Sequence, residues 1–82
     1  MATFIDIHDV PGVKAQDAAE AHAADLMVQG QYGVDYQRYW VDEEAGTLFC
    51  LVEAPDAATA ALVQREAHGL EARAIHEVRE GA

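Results

Sequence analysis

The pattern of hydrophobic and polar positions divides the chain into six segments. Apolar and polar residues alternate at the start, and two later runs are rich in aromatic and β-branched residues, which favours strands. Two alanine-rich stretches contain good helix formers. The predicted elements, in chain order, are residues 3–9, 14–31, 34–42, 47–53, 57–67 and 70–79. The pattern therefore predicts the order βαββαβ.

Residues that end helices and strands separate the predicted elements. Residues 10–12, with the sequence VPG, turn the chain after the first strand, and Gly33 ends the first helix. Acidic residues and Gly46 join the two middle strands, as in a β-hairpin. Asp56 is placed to cap the second helix, which residues 68–69 then end. The breaks agree with the six predicted segments.

The predicted order is that of the split βαβ, or ferredoxin-like, arrangement of the α+β class. Residues 1–82 then form a single domain, in which two helices cover one face of a four-stranded antiparallel sheet. Strict alternation places Tyr36, Arg38 and Trp40 on one side of that sheet. Large apolar residues fall on both sides of the hairpin, so we expect a homodimer whose sheets meet.

The net charge of the chain argues against two classes of binding partner. The chain has 15 acidic and 5 basic residues, for a formal net charge of -10. Nucleic acid and anionic membranes would be repelled, so neither is an expected partner. The N-terminus has no basic segment followed by a long apolar run, and no apolar stretch is long enough to span a bilayer. We therefore expect a cytoplasmic protein.

Four histidines, each with a carboxylate within three positions, provide the candidate chemistry: His8, His22, His68 and His76. Neutral imidazole binds nickel, copper, zinc and iron, and nearby carboxylates favour a dication. Metal binding is therefore the leading hypothesis. A structural role is the alternative for each histidine, since 15 of the 82 residues are acidic and chance neighbours are common.

The first strand holds one candidate site. Alternation places Ile5 and Ile7 on one face, which we expect under the helices, and Asp6 and His8 on the other, about 7 Å apart along the strand. Together with Asp9 at the strand end, these two residues would form a metal or acid–base site at the dimer face. The alternative is a hydrogen-bonded histidine beside solvated acids.

The other candidates lie on the helices and the last strand. His22 and Asp25 are three residues apart on one helix face, so they can chelate a cation or hydrogen-bond each other. His68 is either a ligand or a favourable charge at the end of the second helix. His76 is included for its chemistry alone, because Glu77 points to the opposite face. A structural or surface role is the alternative for these three histidines.

Several strings of this sequence resemble one family. They are IDIHDVPG near the start, AHAADL in the first helix, YGVDYQRYWVDEEAG and FCLVEAPD in the hairpin, and REAHGL before the last strand. Along essentially its whole length the chain is similar to a family of small bacterial proteins, first catalogued as a domain of unknown function, that includes an actinobacterial nickel-binding protein. The run RYWVDEEAG followed by CLVEAPD is the specific part of the likeness.

The resemblance implies a homodimer of ferredoxin-like subunits that holds Ni²⁺ on surface residues and sequesters, buffers or detoxifies it. Ligating side chains within the matching strings are those of His8, Asp9, His22, Asp25, Cys50 and His68. His76 lies outside the strings, and Cys50 sits in the apolar run LFCLV, where a free cysteine usually acts as a small hydrophobe. The predicted ligand set is His8, Asp9, His22, Asp25, His68 and His76. We also expect open nickel sites to promote association of dimers.

Two other classes of function stay open. One is a small dimeric α/β-barrel-type enzyme, an oxygenase or isomerase, which uses the cleft between sheet and helices and rests on fold analogy alone. The other is a dimeric sensor or interaction module. No motif pairs Cys50 with a base such as His8 or His22. An apolar pocket holding Cys50 or His22 would favour the enzyme, and outward-facing histidines would favour metal binding.

Overall fold

Six main elements follow one another in the order βαββαβ, which confirms the prediction from the sequence pattern. The computed structural model describes residues 1–81. The elements are β1 Ala2–Asp9, α1 Ala15–Val28, β2 Asp35–Asp42, β3 Thr47–Ala54, α2 Ala57–Ala67 and β4 Ala74–Glu77. Neither helix within this described range is long and apolar enough to cross a membrane.

The four strands form one sheet in the order β2-β3-β1-β4, and all neighbours are antiparallel. β4 is shorter than the predicted segment of residues 70–79. Gly69, with a φ of 78°, turns the chain after α2, and the next residues are used to return to the sheet edge. The backbone N–H of Arg73 then donates to the carbonyl of Ile7 at 2.7 Å, directly before β4 begins.

Two residues that the sequence singled out, Asp56 and Gly33, bound helical segments of the structure. The carboxylate of Asp56 accepts the backbone N–H of Thr59 at 2.8 Å and so caps α2. α1 ends at Val28, earlier than predicted, and a 3-10 turn over Gln29–Tyr32 follows it. Gly33, in the left-handed region with a φ of 65°, ends that turn.

The face of β1 that packs under the helices is the reverse of the one expected. Phe4, Asp6 and His8 are buried, whereas Ile5 and Ile7 are only half-buried. The prediction that the isoleucines lie under the helices is therefore wrong. Hydrophobicity alone favours the isoleucines, but Asp6 and His8 hydrogen-bond each other inside the protein, which offsets the cost of their burial.

A β-bulge in β2 changes the faces of the hairpin. The pairing runs from Tyr36 with Val52 to Arg38 with Leu51, so the intervening residue is not paired. Tyr36 is buried on the helix side, whereas Arg38 and Trp40 are exposed on the other side. The prediction that these three residues share one side is wrong for Tyr36, because strict alternation does not account for an extra residue.

The core lies between the helices and the sheet face that carries Phe4, Tyr36 and Val52. Its buried hydrophobic members are Phe4, Ala18, Val34, Tyr36, Leu48, Cys50, Val52, Ala54, Ala60 and Val63. The sheet face turned away from the helices, which we call the open face, carries apolar side chains that are only partly buried. These are Ile5, Ile7, Trp40, Phe49 and Leu51. The expected presence of large apolar residues on both faces is confirmed.

Candidate metal centre

Four polar side chains lie almost completely inside this small core. Asp6, His8, Asp25 and Gln64 are each no more than 1% exposed. Burying such groups is costly unless each finds a partner of suitable charge or hydrogen-bonding type. The contacts of these four side chains therefore show how the cost of burying them is offset.

Asp6 is the central member of this group. Its Oδ1 lies 3.1 Å from Nε2 of His8, and its Oδ2 accepts a hydrogen bond of 2.9 Å from the hydroxyl of Tyr36. The same hydroxyl lies 3.1 Å from the carbonyl of Ala60 on α2. Burial and the charge of Asp6 raise the pKa of Tyr36, so the phenol remains a donor. Side chains from β1 and β2 thus meet at one carboxylate, and the Tyr36 hydroxyl links it to the backbone of α2.

Cys50 lies on β3 directly opposite Asp6 in the strand register. Ligating atoms of Asp6, His8 and Cys50 all lie within 4.8 Å of one another. Burial, and next the charge of Asp6, raises the pKa of the Cys50 thiol. The thiol is therefore protonated at neutral pH and is a poor nucleophile, which argues against covalent catalysis by this cysteine.

The His8 ring is hydrogen-bonded at one nitrogen, Nε2. Burial acts to lower the pKa of His8, but the hydrogen bond and the charge of Asp6 act against it, and the Glu71 carbonyl and Gln64 side chain add to them. The net result is a raised pKa. Because a carboxylate only accepts, Nε2 of His8 carries the proton shared with Asp6. Nδ1 of His8 is buried without a hydrogen-bond partner.

The donor set suits a borderline transition metal. Two ligands of one such ion, each 2.0 to 2.3 Å from it, lie about 2.8 to 4.6 Å apart, depending on the angle between them. The mutual distances within 4.8 Å for Asp6, His8 and Cys50 come close to that range, so small side-chain movements suffice. Imidazole, thiolate and carboxylate together favour nickel, copper, zinc or iron over magnesium and calcium. The ligand types of the three residues therefore suit a divalent ion of this group.

Asp25 and His68 form a second buried pair next to this centre. Nε2 of His68 lies 2.9 Å from Oδ1 of Asp25, although the contact is not aligned as a hydrogen bond. Nδ1 of His68 accepts the backbone N–H of Leu70 at 3.2 Å. The rings of His68 and His8 meet edge to face, with centroids 6.5 Å apart. Both ring nitrogens of His68 are thus engaged in contacts that fix the loop after α2.

The remaining predicted ligands lie apart from the centre. His22 packs its ring on Tyr39, with centroids 4.9 Å apart, and Asp25 is engaged by His68 instead. Asp9 is exposed and forms a salt bridge of 2.7 Å with Arg73. His76 is exposed on β4, where it pairs with Ile5 on the open face. Of the six predicted ligands, only His8 lies in the three-residue cluster, although His68 and Asp25 adjoin it.

Two members of the cluster were not in the predicted ligand set. The alternation in β1 does place Asp6 beside His8, which is a usable signal. Cys50 gives no local signal, because only the pairing of β1 with β3 brings it opposite Asp6. A cavity of about 500 Å³ opens elsewhere, and its walls include Thr3, Leu51 and Glu53 but neither Cys50 nor His22. This cavity is therefore not the pocket, holding Cys50 or His22, that the enzyme hypothesis predicts.

Comparison with known proteins adds two findings. Residues 4–78 match a family model described as nickel responsive protein SCO4226-like. The crystal structure of SCO4226 from Streptomyces coelicolor A3(2) superposes with a TM-score of 0.91 at 36% sequence identity. The match covers 99% of this chain and 100% of that one. No curated protein sequence matches the chain.

Proposed function

The chain belongs to the SCO4226-like family of nickel responsive proteins, and from this premise we propose that it binds Ni²⁺ and sequesters or buffers the ion, or detoxifies it. The observation that carries the proposal is the cluster of Asp6, His8 and Cys50, whose ligating atoms lie within 4.8 Å of one another. The family name supplies nickel, because the ligand types alone would bind copper more tightly.

Charge balance supports the same centre. A dication in the interior is costly to desolvate unless nearby anions neutralise it. The carboxylate of Asp6 and a thiolate at Cys50 supply two negative charges, so a bound dication leaves the three-residue cluster neutral. The ion would displace the thiol proton of Cys50, and at Nε2 of His8 it would take the place of a proton that moves to Nδ1, so the ring stays neutral. We therefore place the site inside the protein and not at the surface.

We propose a binding role rather than a catalytic one. The raised pKa of the buried Cys50 thiol removes the obvious nucleophile. The bound ion, if present, would supply Lewis acidity, but the nearly complete burial of Asp6 and His8 leaves a substrate no room beside it. Storage of the ion is the chemistry that such a closed centre supports best.

We also propose that the protein is a homodimer joined through the open face. Trp40 is 50% exposed there, and Phe49, Leu51, Ile5 and Ile7 lie beside it. A contiguous apolar surface of this kind is typical of an interface. Because both helices pack on the opposite face, a second copy can cover the open face without disturbing the centre.

The test is a calorimetric nickel titration of the whole protein and of three variants. Cys50→Ser and His8→Ala should each lose nickel binding, whereas His76→Ala should bind as the parent does. Binding by the parent should also produce a thiolate-to-nickel charge-transfer absorption in the near ultraviolet. If Cys50→Ser keeps full affinity and His76→Ala loses it, the interior assignment is wrong and the site lies on the surface.

A further inference from the structure

The cavity of about 500 Å³ is a cleft at one end of the open face. The residues that line it include Thr3 of β1, Leu51 and Glu53 of β3, and Val78 and Arg79 directly after β4. Thr3 pairs with Glu53 on one side, and on the other side its carbonyl accepts the backbone N–H of Val78 at 2.9 Å. The cleft therefore extends over three neighbouring segments of the sheet.

The two sides of this cleft carry opposite charges. Glu53 lies on β3 and Arg79 follows β4, so the strand that carries Thr3 separates them. Because neighbouring strands are about 4.8 Å apart, the backbones of Glu53 and Val78 are about 10 Å apart. Within residues 1–81 Arg79 forms no salt bridge, whereas Arg73 is held in one of 2.7 Å. A carboxylate and a guanidinium thus line one cleft without pairing with each other.

The carboxylate of Glu53 is held in place by the bulge in β2. Gln37 is the bulged residue, and its Nε2 donates to Oε1 of Glu53 at 2.6 Å and to Oδ2 of Asp35 at 3.1 Å. Asp35 and Glu53 are opposite each other in the strand register, an arrangement that is unfavourable for like charges. A positively charged group beside Glu53 would offset this repulsion better than one neutral amide does.

We propose that the cleft binds a small zwitterion, an α-amino acid, whose ammonium group lies against Glu53 and whose carboxylate lies against Arg79. A guanidinium presents two parallel N–H donors that match the two oxygens of a carboxylate. Leu51 and Val78 are half-buried and apolar, so they offer contact to an aliphatic side chain. The volume falls within the range of about 300–1,000 Å³ that is usual for small-molecule sites.

The cleft is separate from the other proposed sites. Glu53 lies on the face of β3 opposite to that of Cys50, so binding in the cleft does not depend on the proposed nickel centre. Of the apolar residues named for the open face, only Leu51 lines the cleft. The amino-acid site is therefore at the margin of the surface proposed for the dimer.

Three matched probes test the recognition of both charges in the metal-free full chain. L-Norleucine carries both groups, pentylamine is the same molecule without the carboxylate, and hexanoate is the same molecule without the ammonium. In nitrogen-15 NMR titrations, norleucine should shift the amide signals of Thr3, Leu51 and Val78 saturably. Pentylamine and hexanoate should each bind about tenfold more weakly, because each loses one charge-assisted contact.

Two variants assign each charge to its partner. Arg79→Gln should lower the affinity for norleucine by about tenfold and leave that for pentylamine unchanged. Glu53→Gln should weaken norleucine and pentylamine but not hexanoate. Arg73→Gln and Glu44→Gln change the same residue types at exposed positions outside the cleft and should bind all three probes as the parent does.

The outcomes separate the zwitterion site from a merely apolar cleft. Norleucine binding that is weakened by both variants, each with its own pattern among the probes, supports the proposal. Equal affinities for the three probes would show that only the aliphatic chain is recognised and would overturn it. The proposal also fails if norleucine causes no saturable shift at the cleft, or if Arg79→Gln binds norleucine as tightly as the parent does.

Discussion

The hydroxyl of Tyr36 lies 2.9 Å from Oδ2 of Asp6, and His8 occupies the other oxygen of the same carboxylate. Asp6 is completely buried, so these two partners take the place of water. One side chain from β2 thus donates a hydrogen bond to a buried carboxylate on β1, even though β3 lies between the two strands. The stability of the metal-free protein should depend on this contact.

Tyr36→Phe removes the hydroxyl and keeps the ring. We expect the free energy of unfolding to fall by about 1–3 kcal/mol, because Oδ2 of Asp6 and the carbonyl of Ala60 lose the one hydroxyl proton that they share. Urea denaturation of the metal-free protein measures the change. Tyr39→Phe is the matched control, since its half-buried ring packs on His22 and stays in place. Equal losses in both variants would show that the Tyr36 hydroxyl contributes nothing specific.

The cap of α2 should make stability depend on pH in the acid range. Hydrogen bonds from the hydroxyl and N–H of Thr59 lower the pKa of Asp56 below its ordinary value of 3.8. A lowered pKa means that the contribution of the ionised cap is complete well above pH 3.8. It is lost as pH falls from there through the folded-state pKa.

The measurement is thermal unfolding of the parent, Asp56→Ala and Asp56→Asn between pH 7 and pH 3. Asp56→Ala should unfold at a lower temperature than the parent at pH 7, and the gap should narrow as the pH falls below about 4. Asparagine keeps the acceptor without a charge, so its gap from Asp56→Ala should change little with pH. A gap between the parent and Asp56→Ala that stays constant over the whole range contradicts the assignment.

The open face should determine the oligomeric state. Trp40→Glu places a charge among the apolar side chains of that face, so the proposed dimer should dissociate at micromolar concentration. Met27→Glu is the control, because Met27 is 90% exposed on α1, away from the sheet. Sedimentation equilibrium distinguishes the two variants. A parent protein that is monomeric at this concentration rules out the dimer.

A cavity of about 190 Å³ beside Gln64 is the route by which we expect an ion to reach the proposed centre. Ala72 lines it, and Ala72→Phe should fill it without touching Asp6, His8 or Cys50. We expect nickel to associate about tenfold more slowly, with an equilibrium affinity close to that of the parent, because access then needs a larger opening motion. Stopped-flow absorption at the thiolate-to-nickel band measures the rate. Ala45→Phe in the exposed hairpin turn should leave it unchanged, and equal rates in all three proteins would place the route elsewhere.

The order of elements could be predicted because its signals are local. Alternation identified β1, aromatic and β-branched runs identified β2 and β3, Gly33 ended the first helical segment, and Asp56 capped the second. Local signals did not decide which face of β1 lies inside. Isoleucines are the more hydrophobic choice, but Tyr36, which bonds to the buried Asp6, comes from β2, 30 residues along the chain. Hydrogen bonding between distant segments therefore decided the face.

The candidate site could be predicted only in part, for the same reason. His8 stood out as an imidazole beside carboxylates. Cys50 lies beside it through the pairing of β1 with β3, and Gln64 lies near it through the packing of α2 on the sheet. Neither contact can be predicted from the local sequence. The predicted surface ligands Asp9 and His76 are exposed, as expected, but lie on different parts of the molecule.

The nearly complete burial of the proposed centre affects the rate at which an ion is released rather than the affinity for it. An exposed site exchanges its ion with solvent freely, whereas a site whose ligands are at most 4% exposed must wait for the fold to open locally. Release is then limited by the frequency of that opening, not by the strength of the coordinate bonds alone. A protein of this design would give up its cargo slowly even when free nickel is scarce. Such slow release suits long-term storage better than rapid buffering.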